Sequence, residues 1–382
     1  MNRVPELDGL RGTAIMLVIG CHYEVFARQF WELPKFGWVG VDLFFVLSGF
    51  LITTVLLNLR GQPEAFRSFY ARRIRRILPP YVAFLALLYI VTAALGDYAL
   101  YHRGTIVRSA LFLQSFASIS DTAKMVMSGK TLSLAHTHLA PTLRGMFGPV
   151  SGGWAVLWSL SIEEYYYLLW APVVLWMSRK NAAITGTVIC VLTLAIRWLG
   201  PTEAAGFSIY HRFDAPVFGS LTAFLIASRL DRRTVTMILT VAGVAGAALL
   251  AAILVPMGNV LGKEIRDDHI FVVFGFPAMS LLAAAVVGIC VVKSGSRLSS
   301  ALRSRVLRFM GKISYTLYLL HGFVYLCFLH VFAPTWVVTL ASLFCAVTMS
   351  WISWTYFEQP ILQGGRQYRS EARTKLKLAS AA

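Results

Sequence analysis

The sequence predicts an all-α fold: a polytopic membrane bundle of about ten transmembrane helices, with one further amphipathic helix on the cytoplasmic side. Three observations carry this. Of 382 residues, 57% are hydrophobic and 14% charged, and the mean hydropathy is +0.66, more apolar surface than a water-soluble fold can cover. The apolar residues gather in runs close to the length that crosses a bilayer as a helix. The net charge of +17 is concentrated in short loops between those runs, as the positive-inside rule expects and a nucleic-acid surface does not.

The first span is expected near 12–29. Glu6, Asp8 and Arg11 precede its apolar core and no small-residue cleavage site is present, so it reads as a retained helix and not a signal peptide. The second span lies near 38–58. Residues 69–80, FYARRIRRILPP, follow as the amphipathic helix. Tyr70, Ile74, Ile77 and Leu78 recur as an apolar stripe, the arginines take the other face, and Pro79-Pro80 end the helix. Further spans are expected near 79–96, 154–177, 182–199, 212–228, 235–254, 270–292, 312–331 and 335–357.

The stretch 105–118 is also apolar, but it is short and interrupted by Arg108 and Gln114. Loop charge decides its placement. The arginines between Arg60 and Arg76, Arg179/Lys180, Arg229/Arg232/Arg233, the cluster from Lys293 to Lys312 and the tail from Arg366 to Lys377 share one side only if 105–118 does not cross. It is therefore expected as a partly immersed helix within an external segment, 97–153, with both chain termini cytoplasmic. Residues 1–362 make one membrane domain and 363–382 a basic tail. Trp38, Trp154 and Trp198 fit interfacial anchors. The five cysteines all lie in apolar segments and lack metal-ligand spacing.

Four constellations carry chemistry. Arg11 and His22 are eleven residues apart, which on a helix leaves them ~20° apart in azimuth and ~16 Å apart along the axis. They share a face, with the arginine near one membrane surface and the histidine well inside. The structural alternative is an anchoring arginine and a packing histidine. Asp42, entering the second span, needs a partner because an unpaired intramembrane carboxylate is costly; Ser48-Gly49, further along, permits close helix approach. Arg72, Arg73, Arg75 and Arg76 form two overlapping Arg-x-x-Arg pairs, each able to present planar forks to phosphate oxygens; simple attraction to anionic lipid is the alternative. Glu163 and Glu164 fall midway along the span 154–177, one expected toward the bundle interior and the other toward a water-filled cavity, with a purely structural buried pair as the alternative. Trp158, Ser159, Ser161 and Tyr165 to Tyr167 flank them and could bind a sugar.

His321, in SYTLYLLHGF, is a further substrate-contact candidate, against the alternative of a packing hydrogen bond. His211-Arg212-Phe213-Asp214 opens another span and is expected to line the external mouth. His136 and His138 read as surface residues, because no further ligand cluster supports a metal site.

Taken in order, these motifs resemble the membrane acyltransferase-3 family, which includes O-acetyltransferases of bacterial surface polysaccharides and nodulation factors. LDGLRG with Arg11 and His22, GVDLFFVLSGFLI, YARRIRRILPPY, WSLSIEEYYYLLWAP, RFDAPVFGSL, ISYTLYLLHGF and YFEQP occur in family order across almost the whole chain. The resemblance implies an essential Arg-x(10)-His pair at Arg11 and His22, a cytoplasmic Arg-x-x-Arg at Arg72/Arg75 or Arg73/Arg76, and an active glutamate at Glu163. Longer members add a C-terminal extracytoplasmic hydrolase-like domain. The resemblance here covers the membrane module only, and a later transfer step would need a separate protein.

The function expected is acyl transfer, most simply of acetyl, from cytoplasmic acyl-CoA to a sugar hydroxyl of an extracytoplasmic or lipid-linked glycan at the bacterial inner membrane. No permanently bound cofactor is expected; acetyl-CoA is a donor substrate. The arginines would hold its phosphates, and the pantetheine arm would extend toward His22. His22 would act either as general base or as acyl acceptor, with Glu163 or Asp42 orienting it and Trp158, Ser161, Tyr167 and His321 near the acceptor. A transporter or flippase for a lipid-linked sugar is the reading from another class. Such proteins often carry interrupted helices and internal repeats, neither of which is evident here.

Overall fold

Pro5 opens the first helix, α1 (Pro5–His22), where a fixed φ and a missing amide cost nothing. The computed structural model describes residues 4–23, 33–94, 103–116, 156–200, 202, 205–257, 268–293 and 295–364, and helix is the only regular structure among them. After a 3-10 turn, Leu33–Trp38, come α2 (Val39–Leu59), α3 (Ala65–Ala94), α4 (Arg103–Ala110), α5 (Leu157–Trp176) and α6 (Arg179–Leu199). The single-turn α7 (Ile209–Arg212) leads into α8 (Asp214–Ile226), followed by α9 (Arg232–Leu254). A π-helical turn, Phe271–Gly275, runs into α10 (Phe276–Val292). The described chain closes with α11 (Arg297–Leu302), α12 (Arg305–Val331), α13 (Trp336–Ser353) and a π-helical turn, Trp354–Glu358. Ser178, Asp231, Ser296 and Ser304 cap α6, α9, α11 and α12, each accepting a backbone N–H from the first turn of its helix.

Among the described residues, seven helices are long and apolar enough to cross a membrane. The other three expected spans exist as helices but differ in kind. The α1 helix carries Glu6, Asp8 and Arg11, α5 carries the glutamate pair and three tyrosines, and α8 has only 13 residues, ~20 Å. These three pack against apolar helices, α1 on α12 and α2, α5 on α2, and α8 on α2, α6 and α10. Several crossings are backbone-tight. A Cβ on Gly49 would sit 1.7 Å from the Pro216 carbonyl oxygen, and one on Gly219 2.0 Å from that of Val46, so α2 and α8 touch through their main chains. The same holds where α1 meets α12: Cβ atoms on Gly12 and Gly311 would fall 2.0 Å from Leu307 O and 1.9 Å from Asp8 O.

Three expectations are corrected. The first helix begins seven residues before the predicted start and ends at His22, so His22 is a terminal residue and not a mid-span one; residues 24–32 lie outside the described residues. Pro79-Pro80 do not end the arginine helix, which is continuous with the next span as α3. The prolines remove only two amide donors, those that would have met the Arg75 and Arg76 carbonyls, and Tyr315 ties the same turn to α12 by donating its hydroxyl to the Ile77 carbonyl at 3.0 Å. The predicted apolar stripe on α3 also divides: Ile77 is buried, whereas Ile74 and Leu78 are exposed. The ambiguous stretch 105–118 overlaps the eight-residue α4, ~12 Å long and too short to cross. Most of the segment expected to be external, including everything from residue 117 to 153 with His136 and His138, and the basic tail after 364 lie outside the described residues.

Candidate functional site

Five helices, α1, α2, α3, α5 and α12, enclose a cavity of about 670 Å³ including its open mouth. Three guanidiniums, those of Arg11, Arg73 and Arg76, share its wall with the carboxylates of Glu163 and Glu164. Helix period explains the choice on α3. Arg73 and Arg76 are one turn apart and lie on the side that buries Phe69 and Ile77, while Arg72 and Arg75 do not reach the cavity. None of the three lining arginines forms a hydrogen bond or contact ion pair among the described residues. Arg73 lies over the Tyr167 ring, 5.3 Å from its centroid.

Glu163 is held at both oxygens. Ser48 donates to Oε1 at 3.1 Å and Tyr167 to Oε2 at 2.5 Å. Glu164 Oε1 is buried with no hydrogen-bond partner. The two acids therefore face one cavity together, where the sequence divided them between the interior and a separate pocket. Three cations against two anions leave a local excess of one positive charge in a wall otherwise built from Phe44, Phe45, Leu160 and Tyr318.

Ser159 and Tyr318 line the cavity with their hydroxyls 2.6 Å apart; Ser159 donates to the Val156 carbonyl, so Tyr318 donates to Ser159. One turn further along α12 stands His321, wholly buried, its ring centroid 5.8 Å from that of Tyr318. His321 Nε2 is 2.9 Å from Nδ1 of His22. The expected partners of His22, Glu163 and Asp42, do not touch it. Asp42 is wholly buried and its carboxylate is taken by Arg212. Arg197 grips Asp214 in the same way, with two bonds at 2.9 and 2.7 Å. The Arg212/Asp214 segment is thus an interior pair of ion bridges and not an external mouth, because each buried charge needs the other.

Among the remaining candidates, Tyr167 lines the cavity, as expected of a ligand-contacting phenol. Ser161 does not. It is buried at the α5 surface, where its hydroxyl meets the Phe112 carbonyl and lies 2.6 Å from Ser115 Oγ, pinning the segment after α4. Trp158 packs edge-on against Phe45 and Phe207 and is absent from the cavity wall. Ser314, Tyr315 and Tyr318 line the cavity although no motif reading singled them out. Their mark was spacing: Ser314, Tyr318 and His321 stand at i, i+4 and i+7, one face of α12.

The chain as a whole, rather than the site, can be compared with known proteins. Residues 4–355 match the family described as an acyltransferase domain. The chain belongs to the acyltransferase-3 family. It is 30% identical over 335 residues to the YrhL protein of Bacillus subtilis (strain 168), covering 83% of this chain and 48% of that protein. It is 26% identical over 340 residues to the peptidoglycan O-acetyltransferase OatA of Listeria monocytogenes, covering 83% and 49%. It is 25% identical over 381 residues to the O-acetyltransferase OatA of Staphylococcus aureus, covering 95% and 58%. The chain thus spans about half the length of the curated relatives it matches. No solved structure matches.

Proposed function

We propose that this membrane acyltransferase moves an acetyl group from acetyl-CoA, bound in the arginine-lined cavity, to a sugar hydroxyl of a glycan that approaches the His22 end. The observation that carries the reading is the alignment of unpaired Arg11, Arg73 and Arg76 on one side of Tyr318 with the His22–His321 pair on the other. Phosphates do not enter an apolar bundle unpaired, and guanidinium forks are the side chains that match them. In this reading the arginine end faces the cytoplasm, where acyl-CoA is made, and both termini lie on that side of the bacterial inner membrane; the loop charges support it. That relatives are named for O-acetylation of peptidoglycan supports a cell-wall or other surface glycan as the acceptor class.

Arg11 and His22 are ~16 Å apart along α1, so the phosphates and the reacting carbon of an extended thioester donor would sit at the two ends of one helix face. The slender arm would pass where Tyr318 meets Ser159. His22 would take the proton from the acceptor hydroxyl as its oxygen attacks the thioester carbon. The carbon–sulfur bond would break, and the imidazolium would return the proton to the departing thiolate, giving ester and free CoA. Glu163 and Glu164 would offset the guanidiniums while the cavity is empty.

The test is CoA release by purified protein given acetyl-CoA and glycan fragments, with His22→Ala as control. Release that depends on His22 is expected. Equal release by both proteins would remove His22 from the reaction, and no release by wild type with retained glycan transport would favour a flippase.

A further inference from the structure

We infer that His321 fixes the tautomer of His22, so that Nε2 is the nitrogen of His22 bearing the lone pair. This rests on the reading above, because it names the atom of His22 that would act. The argument is an account of donors and acceptors. His321 Nδ1 lies 2.8 Å from the Tyr318 carbonyl oxygen and 3.2 Å from that of Leu317. Both can only accept, so Nδ1 carries a proton. His321 is 0% exposed and touches no carboxylate among the described residues, so a second proton would create a buried charge with no counter-ion. Its Nε2 therefore holds a lone pair. That lone pair faces His22 Nδ1 at 2.9 Å, and His22 Nδ1 must be the donor. An imidazole protonated at Nδ1 keeps its lone pair on Nε2.

His321 is thus a positioning residue. It does for His22 what a carboxylate does in a hydrolytic triad, but as a neutral acceptor whose own orientation is fixed by two carbonyls of its helix. When His22 Nε2 takes a proton, the Nδ1–H bond to His321 becomes charge-assisted and strengthens, so the pair favours the charged intermediate over the resting enzyme.

The experiment uses full-length protein labelled with 15N-histidine. His22 Nε2 is expected to resonate as a bare imine-type nitrogen and Nδ1 as a proton-bearing one. His321→Phe, which removes the acceptor, should give a mixture of tautomers at His22 and lower turnover roughly 10- to 100-fold, the worth of one hydrogen bond to a group that becomes charged. His321→Gln, whose carbonyl can still accept, should keep the Nδ1 proton and recover most of that loss. A proton on His22 Nε2 in wild type, or equal losses in folded Phe and Gln variants, would overturn the inference. Should wild type release no CoA, the functional reading fails while the nitrogen shifts still decide the tautomer.

Discussion

Replacing the α3 arginines one at a time separates a phosphate site from a merely basic membrane surface. Arg73 and Arg76 line the cavity without ion-pair partners, whereas Arg72 is exposed and Arg75 lies off the cavity wall. A hydrogen bond to a charged group is worth about 1.5–3 kcal/mol, so Arg73→Ala or Arg76→Ala should weaken binding of 3′,5′-ADP, the nucleotide half of CoA, by roughly 10- to 100-fold. Arg72→Ala and Arg75→Ala remove charges screened by water and should cost under about 1 kcal/mol, less than ~5-fold. Arg73→Lys keeps the charge without the planar fork and should fall between. Because the three lining guanidiniums repel one another and outnumber the two carboxyl groups beside them, removing any one should not lower the thermal midpoint of the empty protein. The assay is calorimetric titration in detergent at fixed ionic strength. Equal losses at Arg72 and Arg73, or none at any of the four, would refute the assignment of the cavity to the donor.

Three other outcomes follow from the same geometry. Glu164→Gln removes a negative charge beside the guanidiniums and should lower KM for acetyl-CoA without lowering CoA release at saturation; an unchanged or raised KM would count against donor binding at this wall. Asp42→Asn strands the Arg212 charge and should destabilise by about 3–5 kcal/mol, whereas Asp42→Asn with Arg212→Gln should recover much of that, read by thermal loss of helicity. Gly49→Ala must move α2 and α8 apart by ~1.5 Å to bring a 1.7 Å approach to ordinary contact, and it strains the 3.1 Å bond that Ser220 donates to the Gly49 carbonyl. Overpacking plus that bond puts the cost at about 3 kcal/mol, and a thermal midpoint equal to wild type would sink the estimate.

Hydropathy and loop charge made the helical membrane fold legible, because both follow from local composition. The arginine forks and the glutamate pair were legible for a related reason: an ionisable group in an apolar run stands out without knowing its neighbours. What was hidden is which groups meet. His22 and His321 are 299 residues apart, and nothing in either segment names the other. Asp42 was read correctly as needing a partner, but Arg212 was assigned to a surface because it opens a short span. Ser161 sat in the right motif yet on the wrong face of α5, packed on Phe112 in place of the cavity. Pro79-Pro80 misled because the stop rule describes an isolated helix, whereas here the helix is held across the prolines by its neighbours, Tyr315 of α12 bonding the Ile77 carbonyl in that turn.

The main-chain contact of α1 with α12 has a consequence for precision. Gly12 and Gly311 each lie ten residues, ~15 Å, before the histidine on their own helix. With the crossing point as fulcrum, a tilt of only ~4° swings each imidazole by ~1 Å, enough to break a 2.9 Å bond. The alignment of the two rings is therefore set at the opposite face of the bundle, by the absence of two methyl groups. Substitutions there should silence the chemistry at the far end, with both histidines still present in the sequence but no longer aligned.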